Sequence, residues 1–269
     1  MSEEVRHEPS EDAHYQYRVN LMHAPMIDLG SLAVVLVLCA MLSILSYRFE
    51  LLTMSGSVAS FVVGGIIGSL GSIGWLITLI AFTFLGFFVT KFRFQLKERM
   101  GLQEGRKGER TYRNVLANGL VPAVVAIVAF ALGEQNSALA GIAFIASVSV
   151  AASDTAASEL GVLSSRTYLI TTFRRVPPGT DGGISAFGTA CCVLGAAVAS
   201  LVGWVIIMPV SVLDPFLLVP VAAGVAGCMI DSVIGATLER RGWVDKLGNN
   251  ILSMAVGTIL AVALYLSIV

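Results

Sequence analysis

The chain has 269 residues, of which 56% are hydrophobic and only 13% charged, with a net charge of −1. Mean hydropathy is +0.82. Soluble domains carry about 25% charged residues, so this composition excludes an ordinary water-soluble domain and indicates a polytopic membrane protein.

Residues 1–27 are polar and acidic and lack an apolar stretch before residue 29, so they are expected to form a poorly ordered tail rather than a signal peptide. All three histidines (His7, His14, His23) lie in that tail, which excludes a histidine-ligated metal in the membrane part. A span needs roughly 20 mainly apolar residues. Candidate spans fall near 30–47, 52–70, 73–90, 114–132, 138–153, 187–209, 214–236 and 249–268. The fold class expected is an all-α transmembrane bundle of eight spans, residues 28–269 forming one domain. The fifth candidate is short and rich in Ser and Ala, which keeps a seven-span variant open. The four cysteines (Cys39, Cys191, Cys192, Cys228) lie in apolar runs without disulfide or zinc spacing and read as small hydrophobes.

Charge orients the spans. Eight of the 17 Lys/Arg fall between Lys91 and Arg113 against three acids; Arg166, Arg174 and Arg175 occupy the next long loop; Arg240, Arg241 and Lys246 occupy the last. The positive-inside rule makes loops 91–113, 160–186 and 238–248 cytoplasmic. Two spans separate each from the next, a parity that holds for eight spans and fails for seven. Both termini are then expected outside.

The acids now sort to one side. Asp154 and Glu159 ("AASDTAASELG", 151–161) fall at the inner end of span five. Asp181 sits in the glycine-rich inner loop "RRVPPGTDGGISAFGT" (174–189). Asp231 and Glu239 ("CMIDSVIGATLERRG", 228–242) close span seven. Acids in or near spans are costly and usually face a polar cavity. Singly, each reads more readily as an interfacial anchor; together they suit a phosphorylated substrate bound through Mg²⁺, which prefers carboxylate and phosphate oxygens and needs few protein ligands. Asp154, Asp181 and Asp231 are the candidate catalytic and metal-binding residues. The turn around Thr180, Gly182, Gly183 and Ser185 could cradle phosphate through backbone N–H groups. Arg174, Arg175 and Lys246 could clamp its charge. On an unbroken helix Asp154 and Glu159 point roughly 140° apart. Either the helix breaks there, or Asp154 is the ligand and Glu159 supports it or pairs with an arginine. Asp231 and Glu239 lie about 80° and some 12 Å apart on the same geometry; Glu239 is expected to pair with Arg240 or Arg241. Asp28, Glu50, Glu134 and Asp214 fall at span ends and are assigned no role.

"RTYRNVLANG" (110–119), "ASDTAASELG" (152–161), "VPPGTDGGISAFGT" (176–189) and "DSVIGATLERRG" (231–242), with Asn249 and Asn250 following, resemble a family of integral membrane proteins. That family includes plant phytyl-phosphate kinase and human transmembrane protein nineteen. The resemblance runs in the same motif order from about Lys91 to the C-terminus. The "DTAAS" element is also similar to a stretch of the CTP-dependent polyprenol kinases. The resemblance implies phosphorylation of an isoprenoid monophosphate to its diphosphate, with CTP or another nucleoside triphosphate as donor and Mg²⁺ as cofactor. Carried over by motif, Ser158 and Glu159 join Asp154 in the first acidic box. Arg110, Arg113, Asn114 and Asn118 form a basic box, and Asn249 and Asn250 complete the substrate- and nucleotide-binding set. Lys97, Arg106 and Lys107 are further phosphate-binding candidates, or act only on topology and anionic lipid.

The partners expected are therefore a lipid monophosphate, a nucleotide and the bilayer, with no nucleic acid; a homo-oligomer is left open. Two other functions suit the same features. A membrane cytidylyltransferase making a CDP-lipid would release pyrophosphate instead of CDP. An ion-coupled transporter would place its acids near the midplane between repeated halves, and no copy of "SDTAAS" or "TDGG" stands in the first half. A scaffold would not need so many polar groups at one face.

Overall fold

The structure, a computed structural model, describes residues 28–269; the tail 1–27 and the expectations for it lie outside them. The chain forms α1 (Leu29–Arg48), α2 (Met54–Ile66, prolonged by a π turn over Ile67–Gly71), α3 (Ile73–Lys91) and the short α4 (Phe94–Arg99). It continues through α5 (Tyr112–Ala131), α6 (Ala138–Gly161), α7 (Ala186–Ile207), α8 (Leu218–Ile234) and α9 (Lys246–Ile268). A 3-10 turn at Pro215–Leu217 opens α8, and a π turn over Gly235–Glu239 prolongs it. Apart from α4, these helices give eight long and apolar enough to cross a membrane. The acids given no role explain two helix starts: Asp28 caps α1 by accepting from Ser31 N–H at 2.7 Å, and Asp214 caps the 3-10 turn through Phe216 N–H at 2.9 Å. Glu50 meets exposed Lys107 at 2.8 Å.

The fifth span corrects the sequence reading. It is not short but runs 24 residues to Gly161, and it passes Asp154 unbroken, the second of the two alternatives left open for that stretch. Every residue from Ala140 to Ser153 is buried, so α6 is the central helix and touches protein where its neighbours touch lipid. Its many Ala and Ser residues, which weakened it as a hydropathy signal, are what let five helices crowd around it. Small side chains allow close backbone approach where lipid supplies no hydrophobic drive for association. A Cβ at Gly195 of α7 would lie 2.8 Å from the Ala152 carbonyl, and one at Gly227 of α8 or Gly257 of α9 within 2.7 Å of Val150. On the remaining side Trp75 of α3 stacks on Phe144 at 4.3 Å between centroids.

The loop between α6 and α7 is not plain coil. It holds a three-stranded antiparallel sheet ordered β2-β1-β3, from β1 (Thr167–Leu169), β2 (Arg175–Val176) and β3 (Gly183–Ile184). Tyr168 pairs with Arg175 on one edge and with Ile184 on the other. The strands are too short to show in sequence, yet they set the position of the glycine-rich turn at 177–183. The hydroxyl of Ser185 then starts α7 by accepting from Gly188 N–H at 3.0 Å.

The close approach of α9 to α6 gives a direct test. Gly257→Val has no room between Val150 and the Ala223 carbonyl, and overpacking of this kind costs about 1–3 kcal/mol. A lowered thermal midpoint in detergent is expected, whereas Gly133→Ala, at a turn with open space around it, tests only backbone strain. An unchanged midpoint for Gly257→Val would show that the α6–α9 contact is looser than described.

Candidate active site

Helices α1, α3, α6 and α8 end at one face of the bundle with acids near their C-termini or in the loops that follow. Helices α2, α5, α7 and α9 begin there. Helices α5, α7 and α9 present their N-termini, capped by Thr111, Ser185 and Asp245. Helix α6 brings Asp154, and α8 brings Asp231. A polar cavity of about 290 Å³ opens between them, lined by Asp154, Ser158, Asp181, Asp231, Ser232 and Lys246 among others. Glu104 from the first basic loop, Asp181 from the second and Lys246 from the end of the third share this lining. The three loops therefore gather at one end of the bundle, as the charge pattern requires.

The central pair is Asp154 and Asp231. The two carboxyls line the same cavity and feel each other's charge, although they are 77 positions apart in sequence. Lys246 Nζ stands 3.2 Å from Asp231 Oδ1, with about half its side chain exposed. Two carboxylates so close need a cation beside them, and Lys246 supplies one from the first turn of α9. Ser253, two turns further along α9, lies 3.3 Å from Asp231 Oδ2. Asn249, fully buried between them, donates to the Asp231 carbonyl at 3.2 Å and to Glu239 Oε2 at 2.9 Å.

That last contact corrects two expectations. Glu239 does not pair with Arg240 or Arg241. The π turn at Gly235–Glu239 widens the helix and carries Glu239 round to α9, where Asn249 holds it. Asn249 lies outside the lining of both polar cavities and braces the Asp231 carbonyl and Glu239 instead. Asn250, the next residue, does face polar space.

Glu159 leaves the central pair, as helix geometry demands, but its partner is a lysine. Lys97 is completely buried and donates to Glu159 Oε2 at 2.6 Å and to the Val89 and Thr90 carbonyls at 3.1 and 2.6 Å. Thr90 adds a hydrogen bond to Glu159 Oε1 at 2.9 Å. Lys97 is thus no phosphate ligand: its ammonium group is spent on pinning α4 and the loop beyond it to α3 and α6. Arg110 joins the network, donating to Thr90 Oγ1 at 3.0 Å. Burial presses its guanidinium toward lower basicity, and the nearby charges of Glu159 and Glu104 oppose that shift.

The glycine turn is placed by backbone more than by side chains. Gly179 and Gly182 have φ of +80° and +72°, which side-chain-bearing residues rarely adopt. Gly182 also packs directly onto Gly235 and Ala236 of the π turn, where a Cβ would have no space. Thr180, Gly182, Gly183 and Ser185 all line the cavity. The N–H groups of Thr180 and Gly183 are used within the turn, bonding Pro177 and Thr180 carbonyls at 3.3 and 2.8 Å; only part of the expected cradle is therefore open to a ligand.

Arg174 and Arg175 do not reach the site. They sit exposed on the β1–β2 hairpin, where Arg175 donates to the Ser165 carbonyl at 3.2 Å. Pairing of β1 with β2 turns that end of the loop away from the cavity. Arg110, Arg113, Asn114, Asn118 and Asn250 line a second polar cavity beside the first. Glu104, which sequence reasoning passed over, lines both and accepts from Asn114 Nδ2 at 3.0 Å. Its only sequence signal was to be one of three acids in a loop of eight cations.

The donor set can be tested against Mg²⁺. Among the described residues no group of three His, Cys, Asp or Glu side chains converges to hold a metal unaided. Asp154 and Asp231 offer a pair of hard oxygen donors, with Ser158 and Ser232 beside them in an open polar cavity. One or two carboxylates, with phosphate and water oxygens filling the remaining positions, is how Mg²⁺ binds in phosphoryl-transfer sites. The residues fit such an ion at Asp154 and Asp231; Asp181 lines the same cavity without joining a three-acid centre.

Fold and site together define a class: a polytopic helical membrane protein with a water-facing acidic pocket confined to one end of its bundle. The chain belongs to the integral membrane protein family DUF92, which it matches over residues 37–261. It is 36% identical over 232 residues to the uncharacterized membrane protein MJ0933 of Methanocaldococcus jannaschii, covering 86% of this chain and 92% of that one. It is 31% identical over 218 residues to the chloroplastic protein VTE6 of Arabidopsis thaliana, covering 78% of this chain and 64% of VTE6. Protein PGR of Arabidopsis thaliana is 28% identical over 228 residues, with 77% and 78% covered. No solved structure matches the chain.

The Lys97–Glu159 pair yields a second prediction. Removing one partner of a buried ion pair costs about 3–5 kcal/mol because the other charge is left uncompensated. Lys97→Met is expected to lower the thermal midpoint sharply, and Lys97→Met with Glu159→Gln to recover much of the loss. A double variant no more stable than the single one would mean that Lys97 acts through its carbonyl contacts alone.

Proposed function

We propose that the protein transfers a phosphoryl group from CTP, or another nucleoside triphosphate, to an isoprenoid monophosphate, giving the diphosphate. The observation that carries this reading is the Asp154–Asp231 pair, flanked by Lys246 and the glycine turn, at one end of a membrane bundle. A lipid phosphate resides at that depth and a nucleotide reaches it from water. The resemblance of the four motifs to the phytyl-phosphate kinase family supplies the acceptor class.

The reaction needs little covalent help from the protein. An oxygen of the lipid monophosphate attacks the γ-phosphorus, the bond from that phosphorus to the β–γ bridging oxygen breaks, and the nucleoside diphosphate departs with the electron pair. The attacking oxygen is already anionic, so no general base is required. Catalysis rests on in-line placement and charge neutralisation. Asp154 and Asp231 would hold Mg²⁺, which when bound supplies neutralisation of the charge that develops on the transferred group. Lys246 reaches the same point from α9, and the N-termini of α5, α7 and α9 add positive potential. Asp181 and the Thr180–Gly183 turn hold the nucleotide side. The pocket opens toward the cytoplasm in this reading, because the three basic loops surround it.

Purified protein in detergent, incubated with Mg²⁺, γ-labelled CTP and a panel of prenyl monophosphates, is expected to yield labelled lipid diphosphate and CDP. Asp154→Asn and Asp181→Asn are each expected to lower turnover by at least about 100-fold, the scale of losing one charge-stabilising group, with unchanged thermal midpoints. Pyrophosphate release would make the protein a cytidylyltransferase instead. Near-normal turnover in both variants would remove these residues from the chemistry.

A further inference from the structure

The polar space around Asp154 is divided in two. Beside the cavity of the glycine turn lies a second of similar size, about 290 Å³. Glu104, Asp154, Ser158, Glu159 and Lys246 line both and form the wall between them. Two-substrate phosphoryl transfer requires this kind of arrangement, with donor and acceptor phosphates approaching the same few atoms from opposite sides.

Beyond the shared wall the linings differ in sign. The first cavity adds Asp181 and Asp231, with the hydroxyls of Thr167, Thr180 and Ser185. A bare polyphosphate would be repelled there, whereas one carrying Mg²⁺ would be attracted. The second cavity adds Arg110, Arg113, Asn114, Asn118 and Asn250, and it lies where α5 and α9 begin. Arginines bind a phosphate monoester without a metal through charge-assisted hydrogen bonds. The wall of this cavity also holds unmet polar groups: Arg110 Nε, Asn118 Oδ1 and Asn250 Oδ1 are buried with no hydrogen-bond partner among the described residues. Such orphans are rare in the interior of native proteins and call for a reason.

Arg110 also decides which substrate belongs here. Its guanidinium lies 5.9 Å from the ring centre of Phe87. Phe87 in turn lines an open groove of about 460 Å³ on the outer surface, apolar but for Lys91 at its edge, with Leu51, Phe84, Phe88 and Phe92. A ligand with phosphate on the arginine side and hydrocarbon on the phenylalanine side matches that succession. A nucleotide has no use for it.

We propose that the second cavity is the acceptor compartment. Arg110, Arg113 and Asn250 hold the lipid monophosphate, its chain passes Phe87 into the phenylalanine groove, and the nucleotide with its metal occupies the glycine-turn cavity. This assignment rests on the kinase reading given above.

Affinity for each ligand measured separately tests it. Full-length protein in detergent is titrated with farnesyl monophosphate alone and with Mg²⁺–CTP alone, following tryptophan fluorescence or thermal midpoint. Arg113 is half exposed and, among the described residues, its side chain bonds only Asp245, so Arg113→Ala leaves the core intact; Asn250→Ala is the second variant. Both are expected to weaken farnesyl monophosphate at least tenfold while Mg²⁺–CTP stays within twofold, and Thr180→Val to do the reverse. In turnover the first two raise KM for the lipid and leave KM for the nucleotide unchanged. Equal weakening of both ligands, or the opposite pattern, overturns the compartment assignment. Lipid phosphate bound through Arg113 without any transfer would sink the kinase reading but keep the compartment. A wild-type protein that binds neither ligand sinks both.

Discussion

The whole site depends on how closely α8 and α9 approach α6. Glycine makes that approach. Gly224 and Gly227 of α8 rest on Ser149 and Val150, and Gly257 of α9 rests on Val150 and the backbone of Gly227. Helices α6 and α8 run in the same direction, so one turn beyond Val150 and Gly227 stand Asp154 and Asp231, and these meet. Helix α9 runs the other way, so one turn before Gly257 stands Ser253, which faces Asp231. A further turn back is Asn249, which bonds the Asp231 carbonyl and Glu239. The i, i+4 rule of a helix face, applied from one contact, thus generates the central acid pair and its supports. A larger side chain at any of these glycines would separate the acids before it touched them.

Placing acids at the C-terminal ends of α6 and α8 opposes the helix dipole, whose negative end lies there. The fold offsets this in two ways. Buried Lys97 serves Glu159, and Lys246 serves Asp231. Chain topology provides the rest: with an even number of spans between basic loops, every helix that leaves this face begins here, so α5, α7 and α9 direct their positive ends at the same water-filled space. An anionic ligand therefore meets a field built by connectivity, and the acids within it are what a cation or cation-bound phosphate would engage.

The large features were legible because they follow from hydropathy and parity. Eight spans, three basic loops at one end and acids clustered beside them all come from residue type and spacing. What could not be read depends on contacts between distant segments. Lys97 looks like its neighbours Arg93 and Arg99 in sequence, yet α4 folds it wholly inward. Arg174 and Arg175 precede the glycine turn by a few residues, yet strand pairing with Thr167–Tyr168 turns them outward. The angle between Asp231 and Glu239 follows from an ideal helix only until a π turn changes the pitch, and nothing in "GATLE" announces that turn. The fifth span was underrated because hydropathy rewards residues that suit lipid, and α6 is surrounded by protein.

The polar residues along α6 bear on the choice between a one-ended site and a passage. A transport path would leave hydroxyls facing water or cargo through the depth of the bundle. Here each serine on the buried stretch is occupied by protein. Ser147 donates to the Phe144 carbonyl at 2.7 Å, Ser149 lies 3.2 Å from the Ala196 carbonyl and 3.0 Å from Ser200, and Ser153 donates to the Gly224 carbonyl at 2.7 Å. The Ser147 bond stays within α6, while those of Ser149 and Ser153 tie α6 to α7 and α8. Only from Asp154 onward does the helix turn polar groups toward open volume. Among the described residues α6 is thus packed against protein behind Asp154, which supports the proposed chemistry on a headgroup over a transport path.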